Sequence, residues 1–370
     1  MKAAHILNKI EYSGAENMLY QASAVFKENG IETTLVASEK GIGKFEQSMR
    51  KAGYSIANVG GDSKIDFFKK FYQYFKANKF DVVHIHTEKL YFWKVLLLRL
   101  SGHKNIVRTF HNCWTFSGPV RTKRIIHRRL ARMMGARHHA IGDAVMENEK
   151  NMFRNNCYQI NNWILTNPAL IGNGEAIKKA KRAELGIAED SFVIISVGGC
   201  SNVKNHGYIL DLVKILAEQG RNITYLHAGT GTDEEVEKVK AQEIGIGSKV
   251  IFTGNRGDVP ELLVCSDVYL MPSLFEGLSI ALLEAMYYNG LVIVNDAPGL
   301  SNMIDNNRTG FVVSIDNKQN YIDLLTNLME GKPGVSAIKA SAREFIGEKF
   351  SMQTNANELV RYYKRNTKFN

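Results

Sequence analysis

Two glutamates, Glu276 and Glu284, are the residues whose types and spacing point most directly to chemistry. Glu276 lies in a predicted turn just before a helix, where free backbone N–H groups and the helix dipole favour an anion. Glu284 lies inside that helix among apolar and aromatic neighbours, which predicts a largely buried carboxylate. Because burying a carboxylate without partners is costly, it needs hydrogen-bond donors. These donors could be protein groups or the hydroxyls of a ligand at the helix start.

The local pattern predicts the elements that position these glutamates. Ser279 is the expected N-cap of the helix, and Gly290 is expected to end it. Apolar runs at residues 267–271 and 291–294 predict a buried strand on either side, with a turn at residues 272–277.

Apolar strand-like runs alternate with helical patterns along the whole chain, which predicts βαβ units and mainly parallel sheets. The alternation restarts after a polar stretch at residues 172–191. We therefore predict two doubly wound α/β domains, residues 1–170 and residues 171–349. The predicted strands are residues 3–7, 32–37, 82–85, 106–110, 139–141, 192–197, 223–227, 250–252, 267–271, 291–294 and 311–313.

Candidate binding residues follow several of these strands, where open parallel sheets bind their ligands. Lys204 taken singly could be an ordinary surface lysine, and His111 a hydrogen-bonded loop histidine. Their common placement at strand ends favours a cleft between the two domains. The candidates are Gly14, His111, Lys204, Asn255, Arg256, Gly277 and Leu278, together with the two glutamates.

Common cofactor and metal motifs are absent from the sequence. The run Gly229-Thr230-Gly231 lacks the third glycine of a dinucleotide fingerprint, and no Walker-type phosphate loop occurs. We find no Asp-x-Asp pair, and no histidine or cysteine set has metal-ligand spacing. We therefore expect no cofactor and no metal. The charge of a leaving diphosphate would be met by Lys204, backbone N–H groups and helix ends.

Charge is unevenly divided along a chain whose net charge is +10. Residues 1–170 carry 26 Lys and Arg against 13 Asp and Glu, whereas the remainder is slightly acidic. This asymmetry predicts an anionic partner for the first domain, which could be a membrane surface, a nucleic acid or a phosphorylated substrate.

Residues 121–137 predict an amphipathic helix in the basic half. The helix could pack on its sheet as an ordinary surface element, or it could bind anionic lipid or an acceptor diphosphate. The aromatic and basic stretches at residues 67–75 and 90–100 also favour peripheral membrane binding. The two predicted faces of the helix are Arg121, Arg124, Arg128 and Arg132 on one side, and Ile126, Leu130, Met133 and Met134 on the other.

No apolar run reaches the roughly 18 residues that a membrane-spanning helix needs. The N-terminal stretch also lacks the apolar core of a signal peptide. We therefore expect a cytoplasmic protein, peripheral at the inner face of the cell membrane.

The run from Glu276 to Glu284 resembles the E-x7-E signature of the retaining GT-B glycosyltransferases of family four. This resemblance implies two Rossmann-like domains that face each other across a cleft, the second holding a nucleotide-sugar. It also implies a last helix, at about residues 350–366, that crosses back to the first domain. Further similar motifs are Ser13-Gly14-Ala15-Glu16, residues 81–86, His111, Asn167-Pro168, Glu184-Leu185-Gly186, Val197-Gly198, Lys204-Asn205-His206, residues 258–262 and Thr309-Gly310.

The resemblance implies a role for each candidate residue. Glu276 would bind hydroxyls of the donor sugar, Glu284 the ribose hydroxyls, and Lys204 the diphosphate. The other implied contacts are Gly14 and the N–H groups of Gly277 and Leu278 with the diphosphate, His111 with the transferred sugar, and Asn255 and Arg256 with the base.

The implied reaction is a retaining, metal-independent sugar transfer from a nucleotide-sugar donor, UDP-linked, to a glycan acceptor. A lipid-diphosphate-linked oligosaccharide of bacterial surface polysaccharide or O-antigen assembly would suit the basic first domain. In such enzymes the leaving phosphate takes the acceptor proton on the face from which it departs, so Glu276 need not be a nucleophile.

The chain departs from the family at Gly199, where an arginine is frequent. A charged hydrogen bond of about 1.5–3 kcal/mol is then missing, or is supplied by another residue such as Arg256. Two other functions stay open, a GT-B sugar-nucleotide epimerase and a basic nucleic-acid-binding module. The second would leave the cleft motifs unexplained, so we expect no nucleic-acid partner.

Overall fold

The structure is a computed structural model that describes residues 1–367, and it divides into two compact units. Unit 1 contains Met1–Leu165 and the C-terminal segment that begins at Phe350, whereas unit 2 contains Thr166–Lys349. The chain passes between units a few residues before the boundary predicted at residue 170.

Unit 1 is built on a parallel sheet of seven strands within the described residues, in the order β3-β2-β1-β4-β5-β6-β7. The strand order therefore reverses between β1 and β4. The strands are β1 Lys2–Leu7, β2 Glu32–Ala37, β3 Ser55–Asn58, β4 Val82–Ile85, β5 Ile106–Phe110, β6 Ala136–Ala140 and β7 Tyr158–Gln159. The helices are α1 Gly14–Gln21, α2 Ser23–Glu28, α3 Glu46–Lys51, α4 Lys64–Ala77, α5 Tyr91–Leu100, α6 Gly118–Met133 and α7 Asp143–Phe153.

Unit 2 contains a second parallel sheet, of six strands among the described residues, in the order β10-β9-β8-β11-β12-β13. Its order reverses between β8 and β11. The strands are β8 Phe192–Val197, β9 Ile223–Ala228, β10 Val250–Phe252, β11 Val268–Met271, β12 Val292–Val294 and β13 Phe311–Val312. The helices are α8 Pro168–Gly172, α9 Gly174–Glu184, α10 His206–Glu218, α11 Glu234–Glu243, α12 Val259–Cys265, α13 Ile280–Tyr288, α14 Lys318–Met329 and α15 Val335–Lys349, with short 3-10 helices at Gly247–Lys249 and Ser301–Met303.

The predicted doubly wound α/β class is confirmed, because both sheets are parallel and helices alternate with their strands. Every predicted strand is present to within a few residues. Two strands of unit 1, β3 and β7, were not predicted. Both lie at edges of their sheet and are partly exposed, so they lack the continuous apolar run of a strand buried on both faces.

The C-terminal helix α16, Met352–Thr367, packs within unit 1. Its Leu359 and Tyr363 belong to the same buried apolar cluster as Trp163, whose indole Nε1 donates to the Met18 carbonyl at 3.1 Å. The Ile164 N–H also donates to the Phe350 carbonyl at 3.0 Å. The last helix is therefore part of the core of the first unit.

The structure shows which face of the basic helix turns inward, a question that the sequence left open. The helix is α6, it ends at Met133, and Arg137 lies on β6. Arg128 is turned inward and is 1% exposed, whereas Arg132 of the same predicted face is exposed, and Ile126 and Met133 are 48% and 82% exposed. The cause is a pair of acidic groups that the helical pattern does not include, Glu88 and Glu149.

Glu88 and Glu149 hold the inward arginines of α6. Arg128 donates to both carboxylate oxygens of Glu149, at 2.7 and 2.8 Å, and Arg124 donates to Glu88 at 2.8 Å. Arg108 of β5 donates to the other Glu88 oxygen at 2.9 Å. Burial opposes ionisation of Glu88, but the surrounding arginines hold its pKa below the usual range. Arg108, Arg124 and Arg128 are therefore already paired inside unit 1.

The aromatic stretch at residues 67–75 also differs from its prediction as a membrane-binding surface. It forms α4, and Phe67, Phe71 and Phe75 lie in the core of unit 1. The stretch at residues 90–100 buries Val95 and Leu98 of α5 in the same cluster. No helix in the described part of the chain is long and apolar enough to cross a bilayer.

Candidate active site

Helix α13 is bounded by the signals that its sequence contains. The Ser279 hydroxyl oxygen accepts from the Leu282 N–H at 3.3 Å, as expected of an N-cap. At the other end Gly290 has φ +78°, and its N–H donates to the Ala285 carbonyl at 2.9 Å. The helix therefore begins directly after the loop that carries Glu276.

The Glu276 loop is fixed by close backbone contacts. The Glu276 N–H donates to the Pro298 carbonyl at 3.0 Å, and the Leu274 N–H donates to the Val203 carbonyl at 2.9 Å. Gly299 has φ +81°, and a Cβ there would lie 2.0 Å from the Glu276 carbonyl oxygen. The neighbouring segment therefore needs glycine at this position, a requirement that the sequence alone did not reveal.

Lys204 and Glu276 form an ion pair. The Lys204 Nζ lies 2.7 Å from Glu276 Oε1, and the two side chains are 21% and 14% exposed. The Lys204 side chain passes beside Gly198, where a Cβ would lie 3.4 Å from its Cε. Asn205, at φ +56°, donates from Nδ2 to the Pro272 carbonyl at 3.3 Å. The Lys204 loop is thus joined to the Glu276 loop by both side chain and backbone.

Unused backbone donors lie beside this pair. Within the described residues, the N–H groups of Gly277 and Leu278 donate to no other protein group. They precede the N-terminus of α13, where the helix dipole favours an anion. Together with Lys204 they form a local group of hydrogen-bond donors suited to a phosphate.

Glu284 is half-buried, although most of its neighbours on α13 are fully buried, so the prediction of a largely buried carboxylate is met only in part. Burial raises the pKa of Glu284 to about 7. No hydrogen bond or ion pair links this carboxylate to any other residue in the described part of the chain. Of the two explanations left open by the sequence, donors from the protein are therefore not observed. The role predicted for Glu284 toward ribose hydroxyls stays a prediction.

The loops that follow β8, β9 and β10 pack closely through their glycines. The Gly229 N–H donates to the Gly254 carbonyl at 2.9 Å, and a Cβ at Gly229 would lie 1.9 Å from the Gly198 carbonyl oxygen. A Cβ at Gly199 would lie 3.2 Å from the Thr230 carbonyl oxygen. An arginine at Gly199 would therefore need the adjoining loop to move slightly.

Arg256 is already paired with other residues, so its side chain is not free to replace the arginine that is frequent at position 199. Its Nε and Nη2 donate to the two carboxylate oxygens of Asp258 at 2.7 and 2.6 Å, and Nη2 also donates to Glu184 at 2.8 Å. The Arg256 guanidinium beside Asp258 holds the pKa of that carboxyl well below its usual range. Asn255 is exposed next to it. The predicted role of both residues at the base stays a prediction.

Of the two candidates in unit 1, His111 lies beside other histidines. His111 Nε2 is 3.0 Å from His86 Nδ1, and His86 Nε2 is 2.9 Å from His5 Nδ1. Burial lowers the pKa of His111 to about 3, so this imidazole is neutral at pH 7. Gly14 is the exposed first residue of α1. The roles predicted for His111 and Gly14 toward the sugar and the diphosphate stay predictions.

We did not predict that His86 would contact His111, or that His5 would contact His86. His86 was visible in the sequence as one of two histidines alternating around β4, with hydrogen bonding as an ordinary explanation. That His5 of β1 lies beside it follows from the pairing of β1 with β4, which places His5 opposite His84. Strand order, rather than any local motif, assembles this group.

Two family models match the chain. Residues 177–345 match the model for glycosyl transferases group 1, and residues 12–153 match the model for Glycosyltransferase Family 4. These matches fall in unit 2 and unit 1 respectively.

Relatives and solved structures cover the chain more completely. The chain is 27% identical over 307 residues to EpsF of Bacillus subtilis, covering 80% of this chain and 79% of that protein. It is 22% identical over 379 residues to the Escherichia coli UDP-Gal:alpha-D-GlcNAc-diphosphoundecaprenol alpha-1,3-galactosyltransferase, covering 98% and 96%. The structure of Anabaena HepE in complex with UDP and glucose superposes with a TM-score of 0.82 at 17% identity, covering 98% of this chain and 99% of that one.

Proposed function

We propose that this chain, a GT-B glycosyltransferase built from a family 4 domain and a group 1 domain, is a retaining, metal-independent enzyme that uses a UDP-sugar. The transferred group is a hexosyl or N-acetylhexosaminyl residue, and the acceptor is a lipid-diphosphate-linked glycan. The observation that carries this proposal is the Lys204–Glu276 ion pair in front of α13, with the partner-free Glu284 on the same helix.

Lys204 and the backbone before α13 supply the positive charge for the donor diphosphate. The ammonium group can form charge-assisted hydrogen bonds with phosphate oxygens, and the N–H groups of Gly277 and Leu278 add two more donors. When no nucleotide-sugar is bound, Lys204 neutralises the charge of Glu276, since its Nζ lies 2.7 Å from Glu276 Oε1. When the lysine binds phosphate, the Glu276 carboxylate becomes available to hydroxyls of the donor sugar.

Glu284 binds the ribose hydroxyls of the nucleotide. Its carboxylate lacks donors in the ligand-free protein, and a vicinal diol offers two O–H groups. Because hydrogen bonds to a charged group contribute about 1.5–3 kcal/mol, this contact would favour a nucleotide over a free sugar phosphate. The contact stabilises the ionised form of Glu284.

The transfer itself requires no protein nucleophile. The bond between the anomeric carbon and the diphosphate oxygen breaks, and the acceptor oxygen forms its bond on the same face. The acceptor proton passes to the departing phosphate oxygen, whose charge Lys204 offsets. An ion-paired Glu276 suits a role in holding the sugar better than a role in attacking it, since its negative charge is already shared with Lys204.

The choice of UDP and of a lipid-linked acceptor draws on the relatives. HepE was crystallised with UDP and glucose, and the Escherichia coli relative acts on a diphosphoundecaprenol-linked sugar by its name. In this chain the exposed Ile126, Leu130 and Met133 of α6 form an apolar surface, and the exposed Arg129 and Arg132 flank it. We propose that this surface rests on anionic lipid at the inner face of the membrane.

The decisive experiment measures transfer by Lys204→Ala and Glu276→Gln variants. We expect kcat/KM to fall at least about 100-fold in each, as for a lost electrostatic contact at a reacting centre. The matched control breaks an exposed ion pair of the same unit, through Arg221→Ala and Glu330→Gln, and should leave the rate unchanged.

Four outcomes would contradict parts of the proposal. Full activity in both site variants would mean that the pair is not at the reaction centre. Loss of activity in EDTA with recovery on adding Mg²⁺ or Mn²⁺ would contradict metal independence. Conversion of the nucleotide-sugar without any acceptor would indicate an epimerase, and stronger thermal stabilisation by GDP or ADP than by UDP would contradict the choice of base.

A further inference from the structure

Among the described residues, four buried side chains of unit 2 outside the proposed active site form one cluster. They are Cys200, His206, His227 and Glu237. Their ligand-type atoms all lie within 4.8 Å of one another. Cys200 Sγ is 3.2 Å from His227 Nε2, and His206 Nδ1 is 3.1 Å from Glu237 Oε1.

We propose that these four side chains bind one Zn²⁺ ion in a closed, structural site. Zinc bonds of about 2.0–2.3 Å in a tetrahedron place the ligand atoms roughly 3.2–3.8 Å apart, which is close to the separations in the cluster. A thiolate and a carboxylate with two neutral imidazoles carry two negative charges, which a divalent ion balances. Mixed sulfur and nitrogen ligands favour zinc over magnesium or calcium.

The Glu237 carboxylate gives independent support. The residue is 6% exposed, and its Oε2 is buried without a hydrogen-bond partner among the described residues. Its Oε1 contacts the His206 imidazole, which forms an ion pair with it only if protonated, and the Cys200 thiol also hydrogen-bonds to this carboxylate. Leaving a carboxylate oxygen in this state is costly, and a bound cation would remove the cost.

The neighbours of His227 are also arranged as expected around a metal ligand. Its Nδ1 is 2.9 Å from Ser196 Oγ, which leaves Nε2 directed at Cys200. Metal-binding histidines usually have the second ring nitrogen held in this way. The Ser196 hydroxyl is itself 2.6 Å from the Tyr225 hydroxyl. The imidazole is thus held from the side opposite to the cluster.

The histidine group of unit 1 provides a contrast. There His5 and His86 are hydrogen-bonded to each other, and His84 contacts Tyr363 and Thr109 through its two ring nitrogens. All the ligand-type atoms in that group are imidazole nitrogens, with no thiol or carboxylate to supply negative charge. We therefore assign the metal to the cluster of unit 2 alone.

The proposed site lies next to the Lys204 loop. Cys200 and His206 stand at the two ends of the segment that carries Lys204, whereas His227 is on β9 and Glu237 on α11. Zinc would therefore fix both ends of that segment against the neighbouring strand and helix. With four protein ligands it has no open position for substrate, so it is compatible with metal-independent transfer.

The test measures metal content in the full-length protein, purified without chelator from zinc-supplemented cells. We expect about one zinc per chain by elemental mass spectrometry, falling at least tenfold in Cys200→Ser and His227→Asn variants. Cys265→Ser is the matched control, since that thiol is also buried in unit 2 but contacts the Leu262 carbonyl. Replacement of zinc by Co²⁺ should produce a thiolate-to-cobalt absorption band that disappears in Cys200→Ser.

A conservative variant separates metal loss from misfolding. Glu237→Gln keeps an amide oxygen able to accept from His206, so it should retain wild-type circular dichroism while binding zinc at least tenfold more weakly in a chelator competition. The proposal is overturned if the wild-type protein holds neither zinc nor a cobalt–thiolate chromophore. It is also overturned if Cys200→Ser retains the metal content of the control. Neither result bears on transfer by the Lys204 and Glu276 variants.

Discussion

The carboxyl ends of the two parallel sheets carry different kinds of polar group, although the strand order of both sheets reverses in the same way. In unit 1 this edge holds the hydrogen-bonded imidazoles of His86 and His111, with His5 in the adjacent strand. In unit 2 it holds the charged pair of Lys204 and Glu276. The same topology therefore presents uncharged hydrogen-bonding groups in one unit and fixed charges in the other.

This difference runs against the charge balance of the sequence. Unit 1 has most of the surplus lysine and arginine, yet its inward arginines form ion pairs with Glu88 and Glu149. Unit 2 is slightly acidic overall, yet it places one lysine and free backbone N–H groups at the start of a helix. Net charge alone therefore does not show which unit places positively charged and N–H groups at the ends of its strands.

Breaking the arginine network should have the largest effect on stability, and it should be confined to unit 1. Arg128→Ala leaves the fully buried Glu149 without its two-point partner, so we expect a loss of about 3–5 kcal/mol. Arg129→Ala removes an exposed neighbour and should change stability by less than about 0.5 kcal/mol. All three tryptophans of the chain lie in unit 1, so denaturant unfolding followed by their fluorescence reports on this unit alone. Equal losses in the two variants would show that the network contributes nothing.

The histidines of unit 1 should make that unit sensitive to acid. Burial lowers the pKa of His5 to about 3 and that of His139 to about 4, from an ordinary value of 6.5. The unfolded chain therefore binds more protons than the folded one between about pH 4 and 6.5, and stability is lost as the pH falls through this window. Each such histidine contributes up to about 1.4 kcal/mol per pH unit. Tryptophan-detected unfolding should show this slope, and His139→Gln should reduce it; an unchanged slope would contradict the assignment.

The sequence predicted the buried strands well because strands covered on both faces appear as continuous apolar runs. It also placed Glu276 just before a helix and Glu284 within it, because these positions depend on one local helix. The Lys204–Glu276 contact joins residues 72 positions apart, which no local pattern can report. The α6 periodicity could not show which side chains turn inward, because that choice depends on acidic residues of other elements.

The pH dependence of UDP-sugar affinity tests whether the Glu284 carboxylate of unit 2 binds the ligand in its ionised form. Its pKa of about 7 in the ligand-free protein means that about a tenth is ionised at pH 6 and about nine tenths at pH 8. If ribose hydroxyls donate to the ionised form, affinity for a UDP-sugar should rise about tenfold over this range. The diphosphate of a nucleotide-sugar has no group that titrates between pH 6 and pH 8. A change in affinity measured by calorimetry over this range therefore comes from a group of the protein. Glu284→Gln should bind more weakly and lose this pH dependence, whereas a retained slope would assign it to another group.

The smallest expected effect concerns the exposed apolar face of α6 in unit 1. Replacing Ile126, Leu130 and Met133 by serine removes exposed side chains that contribute little to the core, so the fold should be retained. We expect binding to vesicles containing anionic lipid to fall by about three- to tenfold, because apolar contact and basic charge act together at such surfaces. The matched control changes Val236 and Val239, exposed apolar residues on α11 of unit 2, and should leave vesicle binding unchanged. Equal losses in both variants would mean that general surface hydrophobicity, rather than the α6 face, governs the interaction.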